Sequence, residues 1–306
     1  MLTYTFKRLL FLIPTLVAVS FVAFLVMYLV PGDAAIAIAG NDATEADLAI
    51  IREKYGLDQS FIVQYWRYLT NILTGDLGES IRSRQSVSDE ILRRLPATVE
   101  LAVASMLVAV TIGVPFGMIA AQKPGSAADN ALRMFSTLGI SAPGFFLGLV
   151  LMFFFAAKLG WLPPTGRGGW QHLILPALTL GLTDIAVIAR LTRSSMIDVL
   201  SEDYVRTARA KGLPERVVVM RHALINASIP VITVVGTNFG KLLGGAVIAE
   251  TIFAWPGLGR YMIESIIQRD LFAVQACILF FSICIILVNL IVDLAYALID
   301  PRISYR

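Results

Sequence analysis

Long apolar runs dominate this chain, and their lengths match a bilayer. A helix needs about 20 apolar residues to cross the hydrocarbon core. Leu9 to Val30 supplies such a run, and five more follow at Val99 to Ala121, Met134 to Ala157, Leu173 to Ala189, Pro230 to Ala249 and Ala273 to Ile299. The pattern predicts an all-α membrane protein with six transmembrane helices and both termini on one side. Pro31 to Pro96 is the one long soluble stretch. Within it Ile50 to Tyr55 and Ile62 to Leu73 carry apolar residues at helical spacing. Gly75-Asp76-Leu77-Gly78 reads as a turn, and Val87 to Leu95 as a further short helix. This insertion is too small to hold much core alone, so it is expected to pack on the outer face of the membrane domain. The expected division is 1–30 (N-terminus and first span), 31–96 (extracytoplasmic helical insertion) and 97–306 (transmembrane core, with a polar loop at 190–229).

Charge decides the sidedness. Lys7, Arg8, Lys123, Arg133, Arg190, Arg193, Arg206, Arg209, Lys211, Arg216, Arg221, Arg302 and Arg306 fall on one side of the expected spans. The short opposite loops hold only Lys158, Arg167, Arg260 and Arg269. Basic residues collect in short cytoplasmic loops, so the first set and both termini are expected to be cytoplasmic. A cleaved signal peptide is the rival reading of the first run, with Ala37-Ile38-Ala39 as the cleavage signal. The run is too long for a signal core and the small residues lie too far beyond it. Trp161, Trp170 and Trp255 sit near span ends, as an aromatic belt predicts.

Composition agrees: 57% of residues are hydrophobic and 15% charged, outside the range of soluble domains. A net charge of +3 gives no support to a nucleic-acid partner. Cys277 and Cys284 share one span two turns apart, too far for a disulfide within a helix, and read as packing residues. With only two histidines, His172 and His222, the sequence has no metal-ligand cluster. Gly236-Thr237-Asn238-Phe239-Gly240-Lys241-Leu242 has three residues between its glycines where a phosphate loop has four. It also places Leu242 where Ser or Thr would hold magnesium. No catalytic constellation is apparent, so any nucleotide hydrolysis must come from another chain.

The fifth span is the most informative. Gly236, Gly240 and Gly244 recur every four residues, a ridge of small residues that lets another helix approach closely. Intrachain packing and contact with a second membrane chain both explain it. Beside the ridge, Thr233, Thr237 and Lys241 form a stripe with Asn238 adjacent. A lysine at that depth costs about 2.5–3.5 kcal/mol on insertion scales and is expected to face water or a partner, which fits a pore lining. Asp184 and Glu250 are the other charges in or at the edge of the spans. Glu250 to Gly259 follows, with Pro256, Gly257 and Gly259 breaking any helix. Glu250, Trp255, Pro256 and Gly257 are candidates for an outer gate; an ordinary outer loop is the alternative.

The 190–229 loop carries its own helix punctuation. Ser201 is expected to N-cap a helix with Glu202 and Asp203 in its first turn and Arg209 and Lys211 in its last. Gly212 stands at the C′ position, and Pro214 opens a second helix. Glu202 and Arg206 form a favourable pair one turn apart. Tyr204, Val205 and Ala208 share a face of the first helix, and Val217, Val218, Arg221 and Leu224 a face of the second. A helix–turn–helix with an exposed apolar strip and basic flanks is shaped for a partner's groove. A plain solvated loop is the alternative.

This segment resembles the coupling loop of ABC-importer permeases, whose pattern is Glu-Ala-Ala, three residues, Gly, nine residues, Ile-x-Leu-Pro. Aligned on Gly212, Ala208 and Leu224 match. Arg206 and Thr207 replace Glu-Ala, His222 replaces Ile and Ile225 replaces Pro. The peptide-importer branch is closer: Glu202-Asp203-Tyr204, Arg206-Thr207-Ala208-Arg209-Ala210-Lys211-Gly212 and Arg221-His222-Ala223-Leu224 look like that branch's own version. Arg8-Leu9-Leu10, Ile13-Pro14, Pro31-Gly32-Asp33, Gly75-Asp76-Leu77-Gly78, Arg94-Leu95-Pro96-Ala97-Thr98, the 250–259 segment and Arg269-Asp270 also resemble it, though Phe272 stands where a proline is usual. The resemblance covers nearly the whole chain and is strongest to dipeptide and glutathione permeases. It implies the type I ABC-importer permease fold in a bacterial inner membrane and import of di- or oligopeptides from periplasm to cytoplasm. It further implies a second homologous permease subunit, two cytoplasmic ATPase subunits that bind ATP and Mg, and a periplasmic substrate-binding protein. A nickel-complex importer of the same fold is the runner-up. An ATP-independent secondary transporter predicts inverted repeats and an acidic relay, and neither is visible.

Overall fold

The computed structural model describes residues 2–29, 34–39 and 43–299. Every regular element among them is helical, and the single β-contact is an isolated bridge between Glu79 and Ser86. In chain order the helices are α1 (Leu2–Leu29), α2 (Ala34–Ala39), α3 (Glu45–Tyr55), α4 (Phe61–Leu73), α5 (Val87–Gln122), α6 (Ala127–Ser141) and α7 (Gly144–Leu151). They continue with α8 (Gln171–Leu200), α9 (Asp203–Ala210), α10 (Glu215–Val217), α11 (Leu224–Ile252), α12 (Leu258–Ile267) and α13 (Leu271–Ile299). Two stretches take the wider π geometry: Met152–Lys158 after α7, and Val218–Ala223 between α10 and α11. Pro31-Gly32-Asp33, Arg302 and Arg306, and the side chains of Lys7 and Arg8, lie outside the described residues.

Four segments are long and apolar enough to cross a bilayer as they stand: Val87–Gln122, Gln171–Leu200, Glu215–Ile252 and Leu271–Val292. α6 with Gly144–Lys158 makes a fifth if taken together. α1 is one unbroken helix whose described apolar part runs from Leu10 to Val26. The expected third span, Met134 to Ala157, is not straight. It bends by 108° at Ala142-Pro143. Proline disfavours the helical conformation in the residue before it, and Ala142 is accordingly extended at φ −78°, ψ 131°.

Other prolines do not break their helices. The expected short helix Val87 to Leu95 runs on through Pro96 and Pro115 as the 36-residue α5. Pro230, expected to begin the fifth span, lies inside α11. Spanning helices tolerate proline because neighbouring helices, side chains and local π geometry accommodate the freed backbone groups.

The core of the bundle is the contact of α5, α8 and α11. Ala102, Met106, Ile185, Ile188, Val231, Leu242 and Leu243 form one buried cluster there. α5 and α8 approach to backbone distance: a Cβ on Gly181 would stand 2.8 Å from the Ser105 carbonyl oxygen. A second cluster joins the start of α5 to α12 and α13 through Val87, Ile91, Leu258, Tyr261, Ala273 and Cys277. Both cysteines are free thiols.

The insertion packs on α1 and the start of α13. Phe24 of α1 meets Phe61 of α4 with ring centroids 5.3 Å apart, and Tyr55 of α3 meets Phe272 at 5.4 Å. The Ser80 hydroxyl donates to the buried carboxylate of Asp270 at 2.5 Å, which ties the Glu79–Ser86 hairpin to the α12–α13 turn. The expected turn is present: the Gly78 amide donates to Asp76 Oδ1 at 2.9 Å, and Gly75 and Gly78 take positive φ.

Candidate coupling element and translocation path

α8 continues to Leu200, and this displaces the expected start of the next helix. Ser201 sits in the last turn of α8 at φ −85°, ψ −11°, its hydroxyl donating to the Asp198 carbonyl at 2.7 Å, so it caps nothing downstream. The extended residue before α9 is Glu202, which makes no side-chain cap. Arg206 pairs with Asp203 at 3.5 Å instead of with Glu202. Both side chains are largely exposed, so that pair contributes little.

The apolar face of α9 points inward. Val205 and Ala208 are buried with Val218, against Val199 and Leu200 of α8. The strip expected to enter a partner's groove is therefore spent on the chain's own core. The outward face is polar: Arg206, Thr207, Arg209, Ala210 and Lys211 are exposed, as is Tyr204, whose hydroxyl accepts from Asn226 Nδ2 at 2.9 Å. Gly212 takes φ +78° with open space around its Cβ position, the left-handed C′ residue the sequence predicts. The turn is locked by a bidentate ion pair that sequence reading missed. Arg209 Nη2 donates to Glu215 Oε1 at 2.8 Å and Nε to Oε2 at 3.2 Å.

The second half is not a separate helix. α10, the π segment and α11 form one continuous helical run from Glu215 to Ile252. Val218 and Val219 are buried, Arg221 is exposed, and His222 and Leu224 are half-buried. Val219, Ala223 and Ala227 pack on Ala121 of α5 and Met196 of α8. Beside this seat lies an anchor the sequence had offered only as scattered charges. The fully buried Asp129 carboxylate accepts from Arg193 (Nη2 at 2.8 Å, and Nε), from Arg133 at 3.2 Å and from the Gly125 amide at 2.8 Å. It ties the start of α6 to α8.

Along α11 the polar stripe faces outward. Thr237 and Lys241 are exposed and Thr233 is half-buried. Asn238 turns inward and donates to Asp184 Oδ1 of α8 at 2.7 Å. The Lys241 ammonium lies within electrostatic reach of that carboxylate. The glycine ridge packs within the chain. A Cβ on Gly236 would stand 2.7 Å from Val292 of α13, and at Gly240 and Gly244 the neighbours are Val288, Asn289 and Ile285. Gly240 is buried by this packing, and Gly236 and Gly244 are half-buried.

The 250–259 segment is neither a loose outer loop nor an open gate lining. Glu250, Trp255 and Gly257 are buried, and only Pro256 of the four gate candidates is exposed. Glu250 Oε1 accepts from Thr98 Oγ1 at 2.6 Å, and Oε2 from the Arg260 amide at 3.0 Å. Thr98 Oγ1 in turn accepts from the Leu258 amide at 2.8 Å. The carboxylate folds over Gly257, where any Cβ would collide with it. Trp255 is not in an aromatic belt: its indole N–H donates to the Ala97 carbonyl at 2.8 Å, whereas Trp161 and Trp170 are exposed. Together these contacts fasten the C-terminal end of α11 to α5 and α12. No cluster of potential metal ligands occurs among the described residues.

The family described as binding-protein-dependent transport system inner membrane component matches residues 113–305, and its N-terminal counterpart matches residues 1–102. The chain is 50% identical over all 306 residues to a glutathione transport system permease protein, GsiC, of Salmonella paratyphi A, with both chains covered completely. The Escherichia coli protein of that name is 49% identical over the same span. Among solved structures, an inward-facing methionine ABC transporter superposes with TM-score 0.58 at 18% identity, covering 69% of this chain and 96% of that one. An amino acid ABC transporter with histidines gives 0.54 at 14%, covering 68% and 94%. The chain thus belongs to the binding-protein-dependent transport system inner membrane components, as a permease subunit of the peptide-importing ABC type.

Proposed function

We propose that this permease moves glutathione or similarly small peptides from periplasm to cytoplasm, with its termini and α9 on the cytoplasmic side. It works beside a second, homologous permease, forming a heterodimer. Two ATPase subunits carry the ATP and Mg, and a periplasmic binding protein delivers the cargo. One observation carries the reading: the exposed polar face of α9 is held by its buried apolar face at the end of α8 and joined through Gly212 to the helix bearing Lys241. Force applied to Arg206, Thr207, Arg209, Ala210 and Lys211 by an ATPase is thereby delivered to the path. Thr233, Thr237 and Lys241 line that path, with Asn238 turned from it toward Asp184, and the similarity to glutathione permeases supplies the cargo class.

The test is reconstitution of the four-subunit transporter in proteoliposomes with its binding protein and ATP inside. Labelled glutathione should accumulate, and excess unlabelled glutathione should suppress it. Uptake of a chelated nickel complex without glutathione uptake would transfer the chain to the nickel branch. Accumulation that persists without ATP would remove the coupling role of α9.

A further inference from the structure

Where the insertion meets the membrane domain, α3, α4, α1 and α13 enclose a cavity of about 270 Å³. Its walls are aromatic, from Phe24, Tyr55 and Phe272. Two hydrogen-bonding side chains also line it. Tyr68 Oη and Gln275 Nε2 are buried, and neither has a hydrogen-bond partner among the described residues. Gln275 as a whole is only 5% exposed. A buried donor left unpaired costs about 1–3 kcal/mol, so such groups normally face something that accepts from them. The two adjoin each other, but a bond between them in either direction uses only one of their three donor hydrogens and leaves two free. Burial pushes the Tyr68 phenol above its ordinary range, so it stays a donor at every physiological pH.

The mouth of the same cavity is cationic. Lys54 and Arg67 both line it. Arg67 Nη2 donates to the Lys54 backbone carbonyl at 3.0 Å, which holds its guanidinium close to that residue. The Lys54 ammonium lies over the Tyr55 ring, 5.2 Å from its centroid. No carboxylate pairs with either cation among the described residues. The one acid in the lining, Asp76, already accepts from the Gly78 amide. Two cations and a single carboxylate in the lining leave a net positive charge, which favours an anion there. Depth matters too. Phe24 is near the end of α1 and Gln275 near the start of α13, so the cavity lies level with the ends of the spans, where lipid headgroups are.

We propose that this cavity binds a phosphate-bearing group, the headgroup of an anionic phospholipid, with Lys54 and Arg67 at its mouth and Tyr68 and Gln275 donating from its inner end. The bound lipid clasps α3 and α4 of the insertion to α1 and α13. The site is separate from the translocation path, and its existence does not depend on which cargo is carried. Phosphate oxygens supply the acceptors that the inner donors lack and the charge that the mouth lacks. A soluble phosphate ester has the same chemistry, so the experiment separates the two sources.

The test uses the whole transporter complex in a neutral detergent, with thermal unfolding followed during titration. Three probes are compared: phosphatidylglycerol in mixed micelles, glycerol 3-phosphate alone, and diacylglycerol, which has the chains without the phosphate. A specific ligand stabilises in a saturable way. Phosphatidylglycerol should give a saturable rise in Tm that diacylglycerol does not. Lys54→Gln should move its midpoint about tenfold higher, equivalent to 1.4 kcal/mol. Tyr68→Phe with Gln275→Leu should abolish the shift. An equal shift from glycerol 3-phosphate would keep the phosphate chemistry and assign the site to a soluble ester. If diacylglycerol acts as well as phosphatidylglycerol, or Lys54→Gln and the double variant respond as wild type does, the proposal is overturned. A cavity filled only by water gives no saturable response in wild type, and that result also overturns the proposal. Should the double variant fail to assemble, Lys54→Gln decides alone, since that side chain is exposed.

Discussion

Replacing Glu250 by glutamine tests whether the buried knot at the end of α11 is a structural fastening. The carboxylate accepts two hydrogen bonds on opposite oxygens, from the Thr98 hydroxyl and the Arg260 amide. Thr98 has no freedom to turn away, because its oxygen is already accepting from the Leu258 amide and its proton must go to Glu250. Glutamine has the same shape but one acceptor. If its oxygen serves Thr98, its NH₂ faces the Arg260 amide, donor against donor; if it flips, the Thr98 hydroxyl loses its acceptor. Either way one buried donor is left unpaired, at about 1–3 kcal/mol. For a chain of this size that corresponds to a fall in Tm of roughly 1.5–5 °C. The measurement is thermal unfolding of the purified complex for wild type, Glu250→Gln, Thr98→Val and the double variant. The two sites share a bond, so their effects should be non-additive by about 0.5–3 kcal/mol. A Tm for Glu250→Gln within 1 °C of wild type, or simple additivity in the double variant, would refute the reasoning.

Three further outcomes are expected. Gly212→Val puts a β-branched residue at φ +78°, which costs at least about 1–2 kcal/mol; the complex should assemble, with ATPase activity that no longer responds to loaded binding protein, and a normal response would unseat α9 as the coupling element. Single cysteines at Thr237 and Lys241 should react with an impermeant thiol reagent in the outward-open state, while one at Asn238, turned toward Asp184, should react far more slowly; equal protection of all three would mean the stripe does not line water. Gly236→Leu drives a side chain into Val292 of α13 and should lower Tm while the two permeases still co-purify in normal ratio; loss of co-purification at unchanged Tm would restore the ridge to the interface between them.

What the sequence made legible follows from the reach of the interactions involved. Apolar length and spacing are local properties, so the helical class and the approximate positions of the spans could be read directly. Gly212 was legible for the same reason: a left-handed C′ residue needs only its own backbone and its neighbours. Pro143, Pro96 and Pro230 show where local rules stop. Each is a helix breaker by the same chemistry, yet only Pro143 breaks its helix, and nothing in their immediate neighbours tells them apart. The fastenings were the least visible part. Asp129 meets Arg193, 64 residues away, and Thr98 meets Glu250, 152 residues away. As isolated letters Arg133 and Arg193 were topological charges and Glu250 was a gate candidate. Ser201 was misread because a capping residue and the last residue of a preceding helix have the same chemistry. Which role it takes depends on where α8 stops.

The unbroken run from Glu215 to Ile252 has a mechanical meaning. At 1.5 Å per residue its 38 residues make a rod about 57 Å long, more than the about 40–45 Å of a membrane with its headgroups. Its N-terminal end carries α9 through a clamped turn, and its C-terminal end is bolted to α5 and α12. A rod of that length is a lever: tilting it by about 10° about one end carries the other through about 10 Å. With the contacts of Glu250 holding the C-terminal end, such a tilt would displace the N-terminal end most. The one stretch of wider coil, Val218–Ala223, lies just inside the driven end. There a local change of winding between π and α would alter the rod's phase, rotating the Thr233–Lys241 stripe about the axis without moving either anchorage.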